Sequence, residues 1–184
     1  MHRAVRIVVV TIVTLLALPL IAFGAYDLVA FQSRHKEIEQ ILTSATPDER
    51  NPTQTLKRLI RIAGHSRTSA ISARMLVNYL QIPVIGHGNL GRHATNALWW
   101  GLASLHLSED EQVTLITSRS YMGNNRYGFS AEAQARFGRQ LTELNQEEVA
   151  ILVAISSAPS LYLSSPELLR TRTEWLINNL QNGS

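Results

Sequence analysis

The stretch Ser108–Gly138, SEDEQVTLITSRSYMGNNRYGFSAEAQARFG, decides the fold. Ser108 followed three residues later by Glu111 has the form of a capping box, and Glu109, Asp110 and Glu111 complement a helix N-terminus rather than mark a metal site. That helix is predicted to run to about Tyr121. Gly123-Asn124-Asn125-Arg126-Tyr127-Gly128 then reads as a turn, and Ser130–Phe137 as a short helix behind it. No run here alternates apolar and polar residues as a half-buried strand does.

The same grammar extends outward in both directions. Toward the C-terminus, Asn145 with Glu148 opens a helix through Ser156, and Ser165 with Pro166 at the first helical position opens the last one. Toward the N-terminus, Gly91–Leu107 is a long apolar helix containing Trp99 and Trp100, preceded by a loop at Pro83, Gly86, Gly88 and Asn89. Ser69–Gln81 carries Ile71, Met75, Leu76 and Leu80 at helical spacing, and Thr53–Ala63 carries Leu56, Leu59, Ile60 and Ala63. Arg34–Ser44 is a short amphipathic helix, after which Pro47-Asp48 and Asn51-Pro52 break the chain. Residues 32–184 therefore read as an all-α body.

Composition narrows the function classes. The chain has 184 residues, 45% hydrophobic and 17% charged, too apolar for a disordered tail and long enough for one domain plus an appendage. It has no Cys, which excludes disulfide scaffolds, zinc ribbons and thiol catalysis. Of its 17 Lys and Arg, Arg3 and Arg6 precede the first apolar run, leaving 15 basic against 14 acidic residues. With only Lys57-Arg58-Arg61 clustered, the nearly neutral body lacks the basic stripe of a nucleic-acid partner.

Ile7–Tyr26, IVVVTIVTLLALPLIAFGAY, is 20 residues without a charge, about the length that crosses a hydrocarbon core as a helix. Pro19 is compatible with such a span. Arg3 and Arg6 lie before it and Asp27 after it, which by the positive-inside rule places the body outside the cytoplasm. The reading is a single-pass anchor in the cytoplasmic (inner) membrane over residues 1–31, with Tyr26 and Phe31 near the interface and residues 32–184 in the periplasm. The competing reading is a signal peptide cleaved after Ala22-Phe23-Gly24; the apolar stretch is longer than a usual signal core.

Searches by residue type return little. None of the six His forms His-Glu-x-x-His, so no metal or cofactor is expected. His87 and His93 flank a glycine loop as surface or capping residues, and Gly86-His87-Gly88 lacks the third glycine of a dinucleotide fingerprint. No Gly-x-Ser-x-Gly elbow occurs.

The word order of the C-terminal half is more specific. Ser108–Gly138, followed by LTELNQEEVAILVAISSAPSLY at 141–162, resembles the glycosyltransferase family 51 domain, the peptidoglycan transglycosylase. The resemblance covers Ser108 to about Trp175 and extends more loosely over Thr68–Leu107. It implies a mostly helical, lysozyme-like transglycosylase-type fold, and a family that makes glycan strands from lipid II outside the cytoplasmic membrane.

Carried over residue by residue, the resemblance implies losses. The family's first motif is a Glu-Asp pair followed by Phe and His; with Asp48 in place of its Asp, Pro47 stands at the catalytic Glu, and Glu49 is a candidate displaced carboxylate. Gly-Gly-Ser-Thr-Ile-Thr-Gln-Gln resembles Thr68–Arg74, keeping Ser69 and Ile71 and losing both Gln; a Lys further on is Val77, while Asn78 persists. Arg-Lys-x-x-Glu resembles Arg92–Asn96, with Asn96 at the second Glu. The run Lys-Asp-Glu-Ile-Leu-Glu-x-Tyr-Leu-Asn resembles Glu109–Ser118, with its internal Glu at Thr114. Ser69, Arg74, Asn78 and Arg92 are thus candidate substrate-binding residues, Arg92 being otherwise a solvated helix-end charge. Trp99 and Trp100 read as packing residues rather than a substrate platform.

Neither Pro nor Asn can serve as a general base near neutral pH. The reading is accordingly a membrane-anchored, non-catalytic binding or scaffold protein linked to peptidoglycan, lipid II or an envelope complex. The alternative is an active lipid II polymerase using Glu49. A third option makes the membrane helix the partner-binding element and the body a spacer.

Overall fold

A computed structural model of the chain describes residues 2–64 and 67–182, with side chains from Arg6 onward. The charge asymmetry about the apolar segment rests partly on Arg3, whose side chain lies outside that description. The chain divides into two compact units, residues 1–39 and 40–184.

The first unit is dominated by helix α1 (His2–Ala30), which continues through Pro19. Its Ile7, Leu15, Leu20 and Val29 are exposed, as an apolar helix without a protein partner requires. The helical run Arg6–Ser44 is long and apolar enough to cross a membrane by length and composition; a signal sequence near the N-terminus meets the same test. A short 3₁₀ turn, Gln32–Arg34, leads into α2 (His35–Ser44). Phe31 is 1% exposed.

The second unit is helical: α3 (Pro47–Arg50), α4 (Gln54–Ala63), α5 (Thr68–Tyr79), α6 (Gly88–His106), α7 (Glu109–Arg119), α8 (Phe129–Phe137), α9 (Gln146–Ser157), α10 (Pro159–Ser164) and α11 (Pro166–Asn182). The capping boxes at Ser108/Glu111 and Asn145/Glu148 form as the sequence predicts. Observed ends differ by a few residues from the expected ones, the largest shift being α6, which starts at Gly88 rather than Gly91. Three elements were not anticipated. The Pro47-Asp48 break is itself a helical turn with its own capping box, Thr46/Glu49; α10 precedes α11; and Leu141–Glu143 forms a 3₁₀ turn. Each is too short to show a period, so only its capping chemistry was there to read.

The expected turn is a hairpin, with β1 (Tyr121–Gly123) antiparallel to β2 (Arg126–Tyr127). Asn124 and Asn125 have φ of 50° and 57°, the left-handed pair that a two-residue hairpin turn requires. These two strands leave the body helical and lysozyme-like. The core gathers Leu56, Leu59 and Ile60 of α4, Val113 and Ile116 of α7, Met122 and Phe129 around the hairpin, the α9 run Val149–Ile155, and Leu176 and Leu180 of α11. Trp99 is fully buried, the packing role expected for it.

The Lys57-Arg58-Arg61 cluster is consumed inside the fold. Lys57 pairs with Asp110, Arg61 with Glu109, and Arg58 donates to the Leu180 carbonyl. The acidic start of α7 therefore serves the helix end and α4 together.

Candidate functional site

Helices α5 and α6 pack closely, and their buried faces are Thr68, Ser72, Ala73, Leu76 and Val77 against Gly91, Thr95, Trp99, Leu102 and Ala103. One turn of helix separates Arg74 from Asn78, and one turn separates Arg92 from Asn96, so each pair shares a face away from that seam. Both faces open onto one cavity of about 530 Å³, lined by Arg74, Val77, Asn78, Gln81, Ile82, Val84, Arg92 and Asn96.

The loop between the two helices is fixed from below. Thr95 Oγ1 donates to the Gly91 carbonyl at 3.0 Å and accepts from the Ile85 amide at 2.9 Å. A Cβ on Gly91 would sit 2.2 Å from the Ile85 carbonyl oxygen, so only glycine lets the backbone of the loop lie on α6 there.

Two further cavities share the α5 wall. One, of about 370 Å³, is lined by Met75, Asn78, Tyr79, Arg119 and Tyr127. The Arg119 guanidinium lies over the Tyr79 ring, 4.9 Å from its centroid, and donates to Ser44 Oγ at 2.7 Å. The other, of about 240 Å³, is lined by Ile60, Ala63, Gly64, Ile71, Arg74, Met75, Ile116, Ser120, Val153, Ser156 and Ser157. Among the described residues the three linings taken together hold Arg74, Arg92 and Arg119 and no Asp, Glu or His. Neither Arg74 nor Arg92 has an ion-pair partner among the described residues.

Of the residues singled out in the sequence, Arg74, Asn78 and Arg92 come together in the largest of these cavities, with Asn96 beside them. Ser69 does not join them: its Oγ accepts from Trp100 Nε1 at 2.8 Å, tying the start of α5 to the middle of α6. Glu49 lines none of the three. It is 4% exposed, and its Oε2 accepts from the Thr46 amide at 3.1 Å while its Oε1 accepts from the Ser130 amide at 3.1 Å. Its carbonyl accepts from Thr114 Oγ1 at 3.0 Å. Gly128, with φ of 90°, passes so close that a Cβ there would lie 2.9 Å from Glu49 Oε1. This carboxylate joins α3 to the start of α8.

Arg119 and Tyr79 were missed by the sequence reading. Arg119 looks like an ordinary cation in the last turn of α7, and its partner ring lies far away in sequence, so no local pattern signals the pair. Among the described residues no group of three or more His, Asp or Glu is placed to hold a metal ion.

The helical body thus presents a cationic cleft between α5 and α6, followed along the chain by a helix–hairpin–helix unit of α7, β1, β2 and α8. Residues 117–181 match the transglycosylase family model. Penicillin-binding protein 1A of Neisseria cinerea is 36% identical over 76 residues, covering 40% of this chain and 10% of the relative. Penicillin-binding protein 1A of Pseudomonas aeruginosa is 27% identical over 135 residues, 68% of this chain and 16% of the relative. The chain thus spans a small fraction of the length of the relatives it matches. The resemblance to the glycosyltransferase family 51 domain is borne out over the matched segment, which holds the hairpin and α8–α11; Arg74, Asn78 and Arg92 lie before it.

Proposed function

We propose that this chain is a membrane-anchored, transglycosylase-like protein that binds a phosphate-bearing, lipid-linked glycan precursor without polymerising it. In this reading its membrane is the cytoplasmic (inner) membrane, with the anchor crossing once and the body in the periplasm, linked to peptidoglycan or an envelope complex. One observation carries it: among the described residues the three cavities are together lined by Arg74, Arg92 and Arg119 and by no carboxylate or imidazole. Unpaired guanidiniums on facing helices are suited to phosphate oxygens, which they grip by bidentate, charge-assisted hydrogen bonds. Glycosyl transfer also needs a base on the acceptor hydroxyl, typically contributing about 10²–10⁴-fold. Asn96 supplies none, and the Glu49 oxygens are already committed to backbone amides.

The test is incubation of the full chain, in nonionic detergent with a divalent cation, with labelled lipid II. The expected result is retention of lipid II without polymer, and a loss of retention of about tenfold or more in Arg74→Gln or Arg92→Gln, which is about 1.4 kcal/mol. Glycan polymer that disappears in Glu49→Gln would overturn the reading and establish the alternative, an active polymerase. Placement is tested separately by adding protease to intact spheroplasts: degradation of the body supports the periplasmic assignment, and protection refutes it.

A further inference from the structure

Arg74 lines two cavities with different neighbours. In the larger one it stands with Arg92 and three carboxamides, Asn78, Gln81 and Asn96. In the smaller one it is the only charged residue among the described ones, beside Ile60, Ala63, Ile71, Met75, Ile116 and Val153. Gly64 and three serines complete that lining, and all three hydroxyls already donate to a carbonyl three or four residues back: Ser120 to Ile116, Ser156 to Val153 and Ser157 to Ala154. The cavity therefore offers an apolar bed, serine oxygens free only to accept, and one donor group, a guanidinium without a hydrogen-bond or ion-pair partner among the described residues.

From this we propose that the 240 Å³ cavity between α4, α5, α7 and α9 is a binding site for a small apolar monoanion, its hydrocarbon body on the isoleucines and Met75 and its carboxylate on Arg74. Size agrees. An engineered apolar cavity of about 150 Å³ holds one benzene, so 240 Å³ has room for a ring and a short substituent. Charge agrees as well, since no carboxylate in the lining competes for the cation. A neutral ligand would forgo that contact, and an inorganic anion would leave the apolar wall uncovered. This pocket is distinct from the phosphate cleft in every lining residue except Arg74 and stands whether or not lipid II binds there.

The experiment is calorimetric titration of the full chain, in nonionic detergent, with phenylacetate, with 2-phenylethanol and acetate as the neutral and the truncated comparison. Saturable phenylacetate binding, at least about tenfold tighter than either comparison, is expected, with a loss of about tenfold in Arg74→Gln. Ala63→Leu, which extends an aliphatic chain into the cavity, should abolish it; if that variant fails to fold by circular dichroism, Ser157→Leu at the rim takes its place. Arg92→Gln separates the two sites: it should weaken retention of inorganic pyrophosphate and leave phenylacetate unchanged. Absence of saturable binding, or binding that a folded cavity-filling variant leaves intact, overturns the proposal.

Discussion

Glu49 distinguishes a structural carboxylate from a catalytic one, and substituting it separates the two roles by magnitude. Its oxygens hold two backbone amides, those of Thr46 and Ser130, each at 3.1 Å and at a site 4% exposed. Hydrogen bonds to a charged group contribute about 1.5–3 kcal/mol each. Glu49→Ala removes both and leaves two amides without an acceptor, so a loss of about 3–5 kcal/mol is expected. Glu49→Gln keeps one carbonyl oxygen and a capping-box side chain while turning an NH₂ toward the second amide, and about 2 kcal/mol is expected. For a body of this size, about 2–4 °C of melting temperature accompanies each kcal/mol, so the Gln variant should melt about 4–8 °C lower and the Ala variant further still. The assay is thermal unfolding by circular dichroism, run beside lipid II retention at a temperature where both variants are folded. Unchanged melting in both variants, with retention or turnover altered, would refute the structural assignment.

Three further perturbations probe the packing around the cleft and the hairpin. Gly91→Ala places a methyl 2.2 Å from the Ile85 carbonyl; a loss of about 1–3 kcal/mol in thermal unfolding is expected, with weaker pyrophosphate retention because the loop bearing Val84 shifts, and wild-type values for both would contradict the close packing. Glu132 is fully buried between Arg126 and Arg136, bonded to each at 2.7 and 3.0 Å, and removing its charge strands both guanidiniums. Since those two side chains keep about a third of their surface in water, Glu132→Gln should destabilise by about 2–3 kcal/mol, below the full range for a buried pair; chemical denaturation at constant slope would show it, and a change under 0.5 kcal/mol would not fit. Trp100→Phe loses the bond to Ser69 but keeps the half-exposed ring, so about 0.5–1.5 kcal/mol is expected by the same measurement, matched by Ser69→Ala and not added to it.

The parts of this molecule that were legible in advance are those whose cause is local. Ser108 with Glu111 and Asn145 with Glu148 announce two helix starts because a capping box is complete within four residues. The Asn124-Asn125 turn is readable for the same reason, but the strands it joins are too short to alternate, so the hairpin reads only as a turn. Arg74, Asn78 and Arg92 could be named from a resemblance, yet their meeting depends on how α5 and α6 cross, which no spacing encodes. Glu49 shows the limit most plainly. In sequence it is an acidic residue beside Pro47; in the fold its partners are Thr46 and Ser130, and the second of those lies 81 residues away.

The segment that matches the transglycosylase family model and the α5–α6 cleft are constrained by different physics. Residues 117–181 contain Met122, Phe129, Ala133 and the buried run of α9, side chains enclosed on all sides, together with Gly128, whose left-handed backbone and closeness to Glu49 admit no other residue. Changing any of these costs stability at once, because packed interiors and strained turns have little room to adapt. The cleft face of α5 and α6 is constrained differently. Arg74, Asn78 and Arg92 are exposed and form none of the contacts that hold the helices together, so the fold places few demands on which residues stand there. A helical scaffold of this kind can therefore keep its core while the residues of its cleft vary, since function resides in the site and not in the frame that carries it. Solvation alone would accept many polar residues at 74 and 92. Two arginines facing one cavity, with no carboxylate among its lining residues to neutralise them, are instead the arrangement that retention of an anion accounts for.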